Sequence, residues 1–113
     1  MVFAELESHV LKSGLSIQDH PLNGETWMII KGIRLNAGPH EGTVCEVAVR
    51  RSEQIPWAPD AQIHVRPALT PMGQKSSHPS PLGTDWQYLS RQLSSVPSPS
   101  GYLAYVYSAL EEL

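Results

Sequence analysis

The most reactive side chain type in this chain of 113 residues occurs once, at Cys45. A cysteine acts as a nucleophile when its thiol is ionised and accessible. Cys45 alternates with Val47 and Val49 in the segment TVCEVAVR, which predicts a strand with these three side chains on its buried face. A cysteine placed there packs as a small apolar side chain, so we expect no chemistry from it. A single cysteine cannot form an internal disulfide, and cytoplasmic residence is the default for such a sequence.

Histidine and serine side chains are the next candidates for chemistry. The spacing of His9, His20, His40 and His64 does not match a metal-ligand pattern, so we expect neither a zinc site nor a cofactor. His78 could transfer a proton near neutral pH or contact a partner, because histidine titrates in that range. Ser80 could donate one hydrogen bond, but a serine needs an activating base to become a nucleophile. His78 and Ser80 are therefore the catalytic candidates, and the alternative for both is a loop side chain without chemistry.

Composition limits the classes of protein to which the chain can belong. Hydrophobic residues make up 41% and charged residues 17% of the sequence, which predicts one folded domain over residues 1–113. The net charge of −3 and a pI near 5.9 argue against a nucleic-acid binder. The sequence has no apolar run near 18 residues, so we expect no membrane span, and its first ten residues do not resemble a secretory signal.

The first half of the chain predicts one helix and then strands. Phe3, Leu6 and Val10 recur on one helical face, and Gly14 follows as a natural stop. The segments ETWMIIKGIRL, TVCEVAVR and AQIHV predict three strands connected as an antiparallel meander. The last of these would place His64 on the face opposite Ile63 and Val65.

The second half predicts a long loop and two helices. Residues 66–83 are rich in Pro, Gly and Ser, which is typical of a long functional or mobile loop. In TDWQYLSRQL, Trp86, Leu89 and Leu93 have helical spacing, and in GYLAYVYSALEEL the apolar stripe is the clearest helical pattern of the sequence. The predicted class is therefore α+β, with an N-terminal helix, an antiparallel β-meander, a long loop and C-terminal helices.

Four segments in this order resemble the ubiquitin-conjugating-enzyme (UBC) fold. IPWAPDAQIHV has Pro56 and Pro59 in a turn that enters the third strand, with Ile55 where that family usually has an aromatic residue. His78-Pro79-Ser80 is similar to the family's His-Pro-Asn tripeptide. DWQYLSRQL and SGYLAYVYSALEEL resemble segments of a small bacterial branch, the prokaryotic UBC-like family E. Together these segments lie within residues 55–113.

The resemblance implies partners and also shows a departure from the family. The implied partners are a ubiquitin-like modifier or multi-ubiquitin-like protein, an activating enzyme and a JAB-type peptidase. The implied binding residues are His78, Pro79, Ser80, Trp86 and Arg91. A conjugating enzyme, however, needs a cysteine after the His-Pro-Asn segment, and no cysteine follows Ser80.

Three functional hypotheses follow. The first is a UBC-like protein without catalysis that binds a modifier, an activating enzyme, or both, in a bacterial conjugation system. The second is a conjugation-related enzyme that uses His78 as base or nucleophile in place of cysteine. The third is an RWD-like protein-interaction module, although the Pro56-to-Pro59 spacing fits the UBC pattern better. For Trp86 the alternative to a partner contact is an anchor to the core, and for Arg91 it is a solvated charge.

Overall fold

The protein is a mixed α+β domain in a computed structural model that describes residues 2–50, 63–70, 77–89 and 99–112. The elements in chain order are α1 (Val2–Lys12), β1 (Ser16–Leu22), β2 (Glu25–Arg34), β3 (Val44–Arg50), β4 (Ile63–Arg66), β5 (Ser77–Ser80), β6 (Gly83–Leu89) and α2 (Pro99–Glu111). The predicted α+β class is confirmed at this level.

The strands form one antiparallel sheet in the order β1-β2-β3-β4-β6-β5. The first four strands are a meander, of which the last three, β2, β3 and β4, were predicted. Its first turn is the dipeptide Asn23-Gly24, in which both residues have positive φ (51° and 79°). This combination is the two-residue hairpin turn that best matches the twist of antiparallel strands. The hairpin of β5 and β6 then folds back so that β6 pairs with β4, and β5 becomes an edge of the sheet.

Both helices pack on one face of the sheet and form the main core with it. In α1 two residues of the predicted stripe, Leu6 and Val10, are fully buried, and Gly14 follows the helix with φ 84°. The side chain of Phe3 lies outside the described part of the chain. In α2 the stripe contributes Tyr102, Val106 and Leu110 to the same cluster. The sheet side of this core includes Met28, Ile30, Ile33, Cys45, Val47, Val49, Ile63, Val65 and Leu89.

The other face of the sheet has a smaller cluster made of strand residues. Trp27, Ile29, Ala48 and Trp86 are buried there, with Leu22 and Leu82 packed against them. The predicted burial of Cys45, Val47 and Val49 on one face of β3 is confirmed, and Ala48 on the opposite face is buried as well. The outer face of β3 is thus buried at Ala48, whereas Val44 is exposed and Glu46 is partly exposed.

Three expectations about the elements are wrong. The chain forms an additional strand, β1, whose polar sequence SIQDHPL conceals the alternation. Residues 66–83 are not one long loop, because Ser77–Ser80 pairs with β6. The predicted helix beginning at residue 84 is instead β6, in which Trp86 faces one side and Gln87 the other. Aromatic residues favour strands, and pairing with β4 on one side and β5 on the other outweighs a helical spacing of only two turns.

Some predicted features lie outside the described residues. These are the turn with Pro56 and Pro59, the first part of AQIHV, Arg91 and Leu93. Neither described helix has the length and apolar character that crossing a bilayer requires.

Candidate functional site

A row of ring side chains crosses three neighbouring strands on the face away from the helices. The register places His64 of β4 opposite Tyr88 of β6, and Tyr88 opposite His78 of β5. The rings of His64 and Tyr88 are stacked, with centroids 5.1 Å apart at 22°. Tyr88 and His78 follow at 5.3 Å and 39°. Since directly opposed residues in antiparallel strands share a face, the register itself brings the two histidines to the same tyrosine.

His64 is the buried end of this row, and its ring is packed on two sides. Only 7% of His64 is exposed. Trp27 of β2 meets the ring edge-to-face, with centroids 4.8 Å apart at 74°, while Tyr88 covers another side. Two ring contacts of this kind restrict rotation of the imidazole, so its nitrogens have defined directions.

One of those nitrogens meets a serine hydroxyl. His64 Nδ1 and Ser80 Oγ are 2.9 Å apart, a good hydrogen-bond distance. The backbone N–H of Leu82 also donates to Ser80 Oγ, at 3.2 Å. A hydroxyl has one proton and two lone pairs, so Ser80 can accept from Leu82 and still donate its proton to a neutral His64. The geometry therefore allows a serine–histidine pair in which the hydroxyl is the donor.

Charged side chains lie beside this pair. Arg66 Nη2 donates to Glu46 Oε1 at 2.6 Å, and the guanidinium carbon lies 5.0 Å from the ring centroid of Trp86. Both side chains are partly exposed, at 40% and 27%, so the ion pair itself contributes little to stability. The ion pair orients the Arg66 guanidinium over the Trp86 ring. Arg66 lies two residues after His64 on β4.

Cys45 lies on the opposite, helix-packed face of the sheet. It has no exposed surface, and burial raises the pKa of its thiol to about 11. Burial has this effect because the thiolate loses its hydration in an apolar environment. The thiol therefore stays protonated and covered at neutral pH, so Cys45 lacks both properties of a reactive cysteine.

The structure separates the predicted site residues into different environments. His78 and Pro79 are exposed on the edge strand β5, and Ser80 is half-buried at its end. Trp86 is 5% exposed and belongs to the smaller core cluster, which fits an anchoring role. Arg91 lies outside the described residues.

Sequence reasoning missed the partner of Ser80. His64 was expected only to point away from the core face of its strand, which it does. The orientation of His64 away from the core was visible in the sequence pattern. Its contact with Ser80 was not, because the two residues are 16 positions apart in the chain. Their contact depends on the pairing of β4 with β6 and of β6 with β5. Tyr88 and Arg66 were missed for the same reason.

Within the described ranges, no group of three or more histidine, cysteine or acidic side chains could hold a metal ion.

No protein-family model matches the sequence, and no curated protein or solved structure matches it significantly.

Proposed function

We propose that this chain is a UBC-like binding domain that holds a ubiquitin-like modifier, an activating enzyme, or both, without forming a thioester. Its setting would be a bacterial ubiquitin-like conjugation system, with multi-ubiquitin-like proteins and a JAB-type peptidase as further partners. The observation that supports the proposal most directly is the burial of Cys45. The chain has a His-Pro segment that resembles that of conjugating enzymes, whereas its single cysteine is buried.

The position of His78 and Pro79 supports a binding role for that segment. Both side chains are exposed, and they lie on a strand that forms an edge of the described sheet. Proline is tolerated on an edge strand because its missing N–H need not enter the ladder. An extended peptide, such as the C-terminal tail of a modifier, can lie along such an edge and use backbone groups for affinity.

The test is isothermal titration of the full chain with a purified ubiquitin-like protein encoded in the same genome. We expect His78→Ala to weaken the affinity by about tenfold, or about 1.4 kcal/mol, as for a residue central to an interface. His20→Ala is the matched control, because His20 lies on β1 at the opposite edge of the sheet. Equal affinities of wild type and His78→Ala would place the partner surface elsewhere. Binding neither to any such modifier nor to an activating enzyme from the same genome would overturn the proposal.

A further inference from the structure

We propose that Ser80 and His64 form an acyl-transfer site that acts on activated carboxylic esters and thioesters. This activity is separate from the binding role above, and it involves the face of the sheet opposite Cys45. It replaces the expectation that His78 would be the base. The ring of His78 lies tilted against Tyr88, whereas the Ser80 hydroxyl lies 2.9 Å from His64.

The geometry meets the first requirement of an activated serine, a base within hydrogen-bond distance. The Ser80 hydroxyl lies beside His64 Nδ1, and the imidazole is held between Trp27 and Tyr88. A base with a fixed orientation does not have to be ordered at the moment of reaction. Ser80 is half-buried, whereas His64 is only 7% exposed, so the serine is the more accessible member of the pair.

A donor for the developing negative charge is also close to the nucleophile. The Leu82 N–H lies 3.2 Å from Ser80 Oγ. When a carbonyl carbon bonds to Oγ, its oxygen comes within reach of the same N–H. Backbone N–H groups are the usual donors to such an oxyanion, because the chain already fixes them in place.

The reaction balances with these groups and water. Ser80 Oγ attacks the carbonyl carbon, and its proton passes to His64 Nδ1. The bond to the leaving alcohol or thiol breaks, and that group takes the proton from His64. Water then attacks the acyl-serine with His64 again as base, which releases the carboxylic acid and restores the Ser80 hydroxyl.

The first test uses a fluorophosphonate, which labels activated serines irreversibly. The folded wild-type chain is incubated with the probe, and the adduct is located by intact and peptide mass spectrometry. We expect one adduct at Ser80, its loss in Ser80→Ala, and at least tenfold slower labelling in His64→Gln. Ser16→Ala is the matched control, since Ser16 is exposed on β1, and it should label as wild type does.

A second test does not depend on the folding of His64→Gln, because it keeps His64 and changes only a serine. Ser80→Cys and Ser16→Cys are alkylated with iodoacetamide at pH 7, where the buried Cys45 should not react. The thiol at position 80 should react at least tenfold faster than the thiol at position 16, because His64 lies beside it. The site is overturned if Ser80 of the folded wild type gives no fluorophosphonate adduct, or if the two introduced thiols react at equal rates. In either case Ser80 only closes the turn between β5 and β6, and the proposed binding function is unaffected.

Discussion

Gln87 is a single residue that fixes the path of the chain after β4. Its side chain has no exposed surface and lies on the helix-packed side of the sheet. Gln87 Oε1 accepts from the Leu69 N–H at 3.1 Å, and Nε2 donates to the Thr70 carbonyl at 2.6 Å. One amide thus satisfies both a backbone donor and a backbone acceptor of the segment that follows β4. This role explains how a polar residue can occupy a core position of a strand.

We expect Gln87→Met to lower the free energy of unfolding by about 2 kcal/mol or more. Methionine fills a similar volume but leaves the two backbone groups without partners, and each unsatisfied buried group costs about 1–3 kcal/mol. Gln18→Met is the control, because Gln18 is exposed on β1. Urea unfolding of both variants gives the two values. A similar loss for Gln18→Met and Gln87→Met would contradict the role assigned to Gln87.

Cys45 provides a second prediction at this scale. We expect Cys45→Ala to lower stability by about 1 kcal/mol or less, since the substitution removes a single buried sulfur atom. Binding of a ubiquitin-like partner should not change. A thiol reagent should modify wild-type Cys45 only after denaturation. A reducible adduct with a modifier that forms in wild type and disappears in Cys45→Ala would overturn the proposed function.

At the scale of elements, the loop between β2 and β3 packs against the end of α2. The Asn36 N–H donates to Glu111 Oε2 at 2.7 Å. Gly38 has φ 83°, and a Cβ atom there would lie 2.0 Å from the Glu111 carbonyl oxygen. The last carbonyls of a helix have no partner within the helix, so the loop covers an end that would otherwise rely on solvent. A glutamate at this end is unfavourable for the helix dipole, and its hydrogen bond to Asn36 offsets that effect.

We expect Gly38→Ala to destabilise the protein more than Gly42→Ala. Both glycines have positive φ, at 83° and 89°, so both substitutions carry the left-handed backbone cost of about 1–2 kcal/mol. A Cβ at position 42 meets nothing within 4 Å, whereas at position 38 it collides with the backbone of α2. The additional loss at Gly38 should be about 1–3 kcal/mol, as for other overpacked sites. Equal losses in thermal unfolding would show that the loop moves away from α2 at no cost.

The elements also show which parts of the structure could be predicted from sequence. α1 and α2 have apolar stripes over several turns, and β2, β3 and β4 are rich in β-branched residues, so local pattern was sufficient. β5 and β6 were missed because SHPS and GTDWQYL have weak patterns of their own. Both depend on pairing with a sheet that the rest of the chain builds. The same dependence hides the site, since Ser80 was visible as a candidate but its partner His64 was not.

For the whole molecule, the sheet separates two kinds of environment. One face is an apolar core with the helices, and it contains Cys45 and Tyr102. The other face combines a small aromatic cluster with His64, Ser80 and the Arg66–Glu46 pair. Ionisable groups in the apolar core favour their neutral forms, whereas the opposite face keeps polar groups beside the surface. The distribution predicts where binding or chemistry is possible, and it also predicts the response of the fold to alkaline pH.

The alkaline response follows from the pKa values of the groups in the apolar core. Burial raises the pKa of Cys45 from 9.0 to about 11, and burial, with a smaller contribution from Tyr105, raises the pKa of Tyr102 above its ordinary value. Above pH 9 the unfolded chain releases the thiol proton while the folded chain keeps it. The contribution of Cys45 is therefore complete below pH 9 and is lost as the pH rises towards 11. Tyr102 adds to the loss above pH 10.

We expect the free energy of unfolding to fall between pH 9 and 11, and the fall to be smaller in Cys45→Ala. The release of one proton on unfolding changes the free energy of unfolding by at most about 1.4 kcal/mol per pH unit. Over the two pH units from 9 to 11, this change exceeds the packing loss of the substitution. The deficit of Cys45→Ala relative to wild type at pH 7 should therefore shrink as the pH rises above 9. Urea unfolding at pH 7, 9, 10 and 11 measures both curves, and the value at pH 7 is the internal reference, because the thiol is protonated in both states there. Parallel curves from pH 9 to 11 would mean that Cys45 ionises as readily in the folded chain as in the unfolded one, and that the core around it admits water.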